Sequence, residues 1–132
     1  MMYFLDTNTC IDFLRNLSES VRSRFLSVPL NEIKIPVVVK AELLLGAYKS
    51  TKPETLERTK QFLELFEVIP FSDEMSYTYA KIRKELEVKG NKIGANDLFI
   101  AASALNKGAV LVTHNTREFI RIDGLKLEDW NI

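Results

Sequence analysis

Three carboxylates, Asp6, Glu42 and Asp97, are the residues of this chain whose type and placement point most clearly to chemistry. Asp6 directly follows an apolar run that predicts a β-strand, and Asp97 lies at the predicted start of a helix. Glu42 adjoins the apolar stripe of another predicted helix, where a carboxylate is partly desolvated unless it has a cation. If the three converge, mutual repulsion raises their pKa values, and a hard divalent cation such as magnesium removes that repulsion.

Each of these acids also has an interpretation that needs no ligand. Asp6 can cap a helix, Glu42 can be a solvated helix residue, and Asp97 can be a first-turn acid that the helix dipole favours. Spacing along the chain does not show convergence, so the residues alone indicate only a candidate metal–acid cluster. A magnesium ion held there would polarise a phosphoryl group and activate a water, which is the chemistry of phosphodiester hydrolysis.

A polar loop over residues 113–119 follows the last apolar run of the sequence. It can bring Thr113, Asn115 or Glu118 to the same rim as Asp6. His114 is the only histidine, and we expect it to be a surface loop residue rather than a general base.

The elements that must position these residues are predicted from hydrophobic patterning. Four short apolar runs, at residues 3–5, 33–36, 68–70 and 109–112, predict strands buried on both faces, as in a parallel sheet. The remaining apolar spacings are helical. One helix is capped by Ser72 and stops near Gly90, and one is capped by Asn96 and ends at Gly108. A third predicted helix carries an apolar stripe of Val38, Ala41, Leu45 and Tyr48. A fourth begins at Pro53-Glu54, and two further helical segments fill residues 9–28.

This alternation predicts a three-layer α/β/α sandwich with a mostly parallel central sheet, formed by one domain over residues 1–132. In such sheets ligands bind beyond the carboxyl ends of the strands, where Asp6 is predicted to lie. The chain has one cysteine, Cys10, predicted to be small and buried, so an intrachain disulfide is excluded. We find no signal peptide and no membrane span, and we expect a cytoplasmic protein.

The formal net charge is zero, so composition gives no support for a nucleic-acid partner and any cationic surface must be local. Five cationic residues are candidates for contacts with phosphate, although we expect most of them to be solvated: Arg117, Arg121, Lys92, Lys89 and Lys40.

Five segments of the chain resemble the PIN-domain family, and most of all its VapC branch, the toxins of type II toxin–antitoxin modules. They are residues 5–11 (LDTNTCI), 41–47 (AELLLGA), 93–102 (IGANDLFIAA), 111–119 (LVTHNTREF) and 124–130 (GLKLEDW). The resemblance implies an endoribonuclease that cuts structured RNA, commonly transfer or ribosomal RNA, through a metal-activated water. It implies products with a 5′-phosphate and a 3′-hydroxyl, a homodimer, and a VapB-type antitoxin whose C-terminal segment lies across the active-site groove.

The resemblance also implies roles for single residues. Asp6 and Asp97 are expected to be the main ligands of Mg²⁺, for which Mn²⁺ is a substitute, and Glu42 to complete the site directly or through water. Thr7, Asn8, Thr113 and Arg117 are expected to contact substrate, and Thr7 and Asn8 to support the site rather than do chemistry. Asn115, the fourth expected catalytic residue, stands where many PIN domains have an aspartate. Its amide can give an oxygen or hold a water but adds no charge, which puts a second metal in doubt. Glu118, three positions on, either substitutes for that acid or faces solvent.

Two rival functions remain open at this point. An aspartyl-nucleophile phosphatase also places an acid at the end of its first strand, but the usual aspartate-x-aspartate pattern fails at Asn8. A PIN-like module that binds RNA or protein without catalysis is the other, and the presence of all three acids argues against it.

Overall fold

The computed structural model describes all residues, 1–132, and contains one five-stranded sheet. The strands are β1 (Tyr3–Leu5), β2 (Ile33–Pro36), β3 (Glu67–Ile69), β4 (Val110–Val112) and β5 (Lys126–Glu128). Their order is β3-β2-β1-β4-β5, and every neighbouring pair is parallel. The predicted parallel sheet is confirmed. The sequence prediction missed β5, because this edge strand has a single apolar residue, Leu127, between two charged ones.

The helices are α1 (Thr7–Leu14), α2 (Glu19–Ser27), α3 (Val37–Lys49), α4 (Glu54–Glu64), α5 (Asp73–Val88), α6 (Ala95–Lys107) and α7 (Thr116–Phe119), with a 3-10 turn at Leu30–Glu32. Helices α1 to α4 pack on one another, and α5 packs mainly on α6. From β1 to β2 to β3 the chain moves toward one edge of the sheet. From β3 to β4 to β5 it moves toward the opposite edge. Right-handed crossovers therefore place the two helix groups on opposite faces, which gives the predicted three layers.

Two helix boundaries carry information for the site. Ser72 caps α5 as predicted, since its hydroxyl accepts a hydrogen bond from the Met75 backbone nitrogen at 3.3 Å. The prediction that Asn96 caps the next helix is wrong, because α6 begins at Ala95 after Gly94. The Asn96 side chain is thereby free to donate a hydrogen bond elsewhere, and Asp97 still lies in the first turn of α6.

The predicted apolar stripe of α3 is also wrong. The helix buries Val39, Leu43 and Ala47, whereas Leu45 and Tyr48 are 55% and 69% exposed. Because α3 is apolar around most of its circumference, spacing alone does not distinguish its inner face from its outer one. Glu42 consequently lies half-buried beside the inner face rather than within the packed core.

The hydrophobic core contains residues of the first strand together with residues near residue 130. Phe4 and Leu5 of β1 are fully buried, as is Cys10, and Trp130 is 1% exposed. The Trp130 ring packs edge-on against Phe25 at 6.3 Å between ring centroids.

None of the helices has the length and hydrophobicity that crossing a membrane requires.

The sheet order creates a switch point between β1 and β4. The chain leaves β1 toward β2 on one side and reaches β4 on the other, so the carboxyl ends of β1 and β4 flank a crevice. Asp6 and Thr113 are the residues that immediately follow these two strands. The fold therefore places an acid and a polar hydroxyl at the point where α/β proteins bind ligands.

Candidate metal and catalytic site

Asp6 is held rigidly at the carboxyl end of β1. Its backbone nitrogen donates to the Val112 carbonyl at 3.0 Å, which continues the pairing with β4. One carboxylate oxygen accepts from the Thr9 backbone nitrogen at 2.9 Å, and the other accepts from Thr113 Oγ1 at 2.5 Å. The helix-capping interpretation of Asp6 is thus correct for α1. Burial raises the pKa of Asp6, and the hydrogen bonds from Thr113 and Thr9 only partly offset this.

Thr113 positions Asp6 and does not reach solvent. Its side chain is fully buried, and its hydroxyl donates to Asp6 while accepting from the Asn115 backbone nitrogen at 3.0 Å. The prediction that Thr113 contacts substrate is therefore corrected: with its one hydroxyl proton engaged by Asp6, it orients the carboxylate and the start of α7.

We expect Thr113→Val to lower the free energy of unfolding by about 1–3 kcal/mol, since a buried carboxylate oxygen and a backbone N–H lose their partner. Thr113→Ser keeps the hydroxyl and loses one methyl group, so it should cost about 0.8 kcal/mol. Urea denaturation of the two variants beside the parental chain measures the difference. Equal losses for valine and serine would contradict the role given to the hydroxyl.

Glu42 links the first turns of two helices. Its Oε1 accepts from Thr7 Oγ1 at 2.6 Å, and its Oε2 accepts from Asn96 Nδ2 at 3.3 Å. Thr7 opens α1 and Asn96 lies in the first turn of α6, so both hydrogen bonds hold Glu42 of α3 at the rim of the crevice. The supporting role predicted for Thr7 has a specific contact in the structure.

Asp97 lies within electrostatic range of the other acids. Its pKa is raised to about 6, first by desolvation and then by the negative charges of Asp6, Glu118 and Glu42. The structure therefore brings together the three acids that the sequence singled out, and it adds Glu118 of α7. Glu118 is half-buried, and its substitution for the aspartate of other PIN domains stays a prediction.

The four acids are not neutralised by ion pairs within the protein. The ion pairs of the molecule involve none of Asp6, Glu42, Asp97 and Glu118. The acids influence one another electrostatically, but no three of them are close enough to be preformed ligands of one ion. The donor set nevertheless fits magnesium, which takes oxygen ligands, keeps several waters, and commonly needs only one or two protein carboxylates.

The other predicted site residues lie around this cluster. Asn8 is exposed at the start of α1, Asn115 is half-buried just before α7, and Arg117 is exposed on α7. His114 is exposed and pairs with Asp129 through Nδ1 at 3.0 Å, which confirms the expected surface histidine.

Most of the predicted phosphate-binding cations are not beside the acids. Lys89 and Arg121 line a cavity of about 340 Å³ formed by α5, α6 and the chain after α7, and Lys40 lines another. Neither cavity contains a residue of the acid cluster. A third groove includes Glu42 together with three cations that the sequence analysis missed: Arg15, Lys52 and Arg58. No spacing or motif connects these three, because they come from different helices and a loop.

Comparisons with known proteins show which family has this sequence and fold. The model of the PIN domain family matches residues 3–125. The chain is 38% identical to the "tRNA(fMet)-specific endonuclease VapC" of Salmonella typhimurium, over 98% of both chains, and 41% identical to "Ribonuclease VapC2" of Rickettsia felis, over 99% of both. It superposes with a TM-score of 0.92 on the crystal structure of VapBC2 from Rickettsia felis bound to a DNA fragment from their promoter. That match has 39% identity and covers 98% of this chain and 99% of that chain.

Proposed function

The chain belongs to the PIN-domain family, and to its VapC ribonucleases, and from this premise we propose that it is a magnesium-dependent endoribonuclease acting as the toxin of a toxin–antitoxin pair. The observation that carries the proposal is the placement of Asp6, Glu42, Asp97 and Glu118 around the switch point of the sheet, none of them in an ion pair. An uncompensated group of carboxylates beside an open crevice suits a hard cation and a phosphodiester substrate.

Asp6 and Asp97 would hold the magnesium ion, with Glu42 as a further ligand or through a water, and with Asn115 and Glu118 at its edge. When bound, magnesium supplies charge stabilisation to the phosphoryl group and lowers the pKa of a coordinated water. The chain's own residues prepare this site. Thr113 and Thr9 orient Asp6, and Thr7 and Asn96 orient Glu42, so the carboxylates need little rearrangement when the cation binds.

The role of Thr7 gives a direct prediction. We expect Thr7→Val to lower the RNA cleavage rate about 10-fold or more, since partners that orient metal-site ligands typically contribute 10–100-fold. Thr7→Ser keeps the hydroxyl that donates to Glu42 and should cleave within about 3-fold of the parental rate. Initial rates in magnesium measure both variants. If valine and serine behaved alike, the hydrogen bond to Glu42 would have no part in the reaction.

The substrate we propose is structured RNA, either transfer or ribosomal RNA. Transfer RNA is favoured, because the Salmonella typhimurium relative that matches over almost its full length is named as a tRNA(fMet)-specific endonuclease. A neighbour described as a sarcin–ricin loop cleaving toxin is only 12% identical and supports the fold alone.

We further propose a VapB-type antitoxin as the protein partner and a homodimer as the assembly. The solved neighbours include the VapBC complexes of Rickettsia felis and Salmonella typhimurium, whose chains are 39% and 38% identical to this one. The outer face of α3 exposes Leu45 and Tyr48, an apolar surface that a second copy of the chain would cover.

The experiment that tests the function is incubation of the purified protein with unfractionated transfer RNA and with ribosomal RNA, in magnesium, in manganese and in EDTA. We expect discrete fragments in the two metals and none in EDTA. The downstream fragments should be degraded by an exonuclease that requires a 5′-phosphate, and the upstream fragments should carry a 3′-hydroxyl. Cleavage that persists in EDTA, or ends of the opposite chemistry, would contradict the proposal.

The same experiment separates the alternatives. Phosphate release without strand scission would favour an aspartyl-nucleophile phosphatase. No structural observation supports this alternative. The aspartate-x-aspartate pattern of such phosphatases is also interrupted in this chain, because position 8 is Asn8.

A further inference from the structure

A groove of about 750 Å³ lies between α1, α3 and α4 and shares Glu42 with the acid cluster. Because Glu42 forms part of its wall, the groove adjoins the proposed active site. The volume is comparable to that of pockets that hold drug-sized molecules, which leaves room for a short stretch of nucleic-acid strand.

The groove carries three positively charged side chains. Arg15, Lys52 and Arg58 line it, all three are exposed, and none takes part in an ion pair. The only acid in the wall besides Glu42 is Glu54. In a chain whose formal net charge is zero, three unpaired cations next to a negative cluster form a marked local asymmetry.

The segments that carry these cations are held by hydrogen bonds. The turn after Arg15 is closed by the Leu17 backbone nitrogen, which donates to the Asp12 carbonyl at 2.9 Å. In the loop between α3 and α4, the Lys52 backbone nitrogen donates to Ser50 Oγ at 3.2 Å, and Ser50 Oγ lies 3.0 Å from Thr55 Oγ1. The backbone of the groove is therefore ordered before any ligand binds.

We propose that this groove holds the RNA strand on one side of the cut phosphate, with Arg15, Lys52 and Arg58 contacting its backbone phosphates. This inference rests on the proposed ribonuclease function and names how the substrate reaches that site. A cluster of carboxylates repels a polyanion, and a cationic groove that opens onto the cluster supplies the attraction the cluster lacks. RNA fits better than an apolar protein segment because most of the lining residues are polar or charged.

The test compares two triple variants with the same reduction of positive charge. The groove variant is Arg15→Gln, Lys52→Gln and Arg58→Gln. The control is Arg22→Gln, Lys84→Gln and Lys107→Gln, whose side chains are exposed, unpaired and outside the groove. Binding of 3′-fluorescein-labelled unfractionated transfer RNA is followed by fluorescence anisotropy in EDTA, where the proposed cleavage does not proceed.

We expect the groove variant to bind at least about 10-fold more weakly than the parental chain, and the control to stay within about 3-fold. The slope of log binding constant against log salt concentration should fall by about 0.7 for each phosphate that a cation no longer neutralises, hence by about 2 in the groove variant. In magnesium, the same variant should raise KM with kcat nearly unchanged.

If RNA binding were weakened equally in the two variants, the effect would come from net charge alone, and the proposal would be overturned. Unchanged binding by the groove variant, or no binding by the parental chain, would also overturn it and would leave the groove for a protein segment. Failure here is distinguishable from failure of the proposed function. A parental chain that cleaves RNA with a groove variant of unchanged KM refutes the groove alone, whereas selectively weakened binding without any cleavage refutes only the catalytic proposal.

Discussion

Asp97→Asn is expected to lower RNA cleavage in magnesium by at least about 100-fold while leaving the protein folded. Asparagine has nearly the same shape as aspartate, so the first turn of α6 should persist. Cleavage falls because Asp97 is a proposed ligand whose charge, together with those of Asp6, Glu118 and Glu42, makes the site attractive to a divalent cation.

Asp6→Asn is expected to have an effect of similar size on cleavage. Its amide still provides one oxygen, but only one of the two hydrogen bonds to the Asp6 side chain is then kept, because an NH₂ group cannot accept from Thr9 or Thr113. The Asp6 variant should therefore also be somewhat less stable, and circular dichroism is needed to confirm that it is folded before its activity is compared.

The matched control for both variants is Asp73→Asn. Asp73 is an exposed acid in the first turn of α5, without an ion pair and outside the acid cluster. Initial rates on the same RNA should place this control within about 2-fold of the parental chain. Parental rates in Asp97→Asn would show that the acid cluster is not the site of the reaction.

The second large effect concerns stability in the absence of metal. We expect Asp97→Asn to be more stable than the parental chain by about 1–2 kcal/mol near pH 7.5 in EDTA. The folded protein raises the pKa of Asp97 from 3.8 to about 6, so keeping this group ionised costs folding free energy. The expected gain is smaller than the full pKa shift implies, because Asp97 is half-exposed and the helix dipole favours its charge.

The sign of the pH dependence follows from linkage. Between its unfolded and folded pKa values Asp97 binds more protons in the folded state, so its destabilising contribution is absent below about pH 4 and complete above about pH 6. The advantage of Asp97→Asn should disappear below about pH 4 and grow as the pH rises to neutrality.

Magnesium provides the second arm of this experiment. Binding to the folded state raises the stability of the parental chain, whereas the variant, which lacks one ligand, should respond less. Thermal unfolding with and without magnesium over this pH range measures both effects. A variant less stable than the parental chain at neutral pH in EDTA would contradict the electrostatic repulsion assigned to the acid cluster.

Much of the fold was predictable because local rules and the tertiary structure agree. Four of the five strands are continuous or nearly continuous apolar runs, and the caps at Ser72 and Gly108 follow known residue preferences. The predictions failed where the local sequence pattern does not distinguish one structure from another. The outer and inner faces of α3 are both apolar, and β5 at the sheet edge lacks the apolar run of a buried strand.

The candidate site was predicted in its residues but not in its geometry. The sequence motifs singled out Asp6, Glu42 and Asp97, yet their convergence depends on a strand order that no local pattern encodes. The hydroxyl of Thr113 illustrates the limit: sequence places it near the rim, and only the pairing of β4 with β1 turns it inward toward Asp6. The cations of the groove were missed for the same reason.

The most direct test of the proposed metal site is a crystal structure of the protein with manganese, with anomalous scattering used to locate the ion. We expect a peak bound by carboxylate oxygens of Asp6 and Asp97, with Glu42 as a ligand or one water away, and none there in crystals of Asp97→Asn. An anomalous peak that is not bound by these residues would contradict the assignment. So would an acid cluster without an ion in a protein that cleaves RNA in manganese.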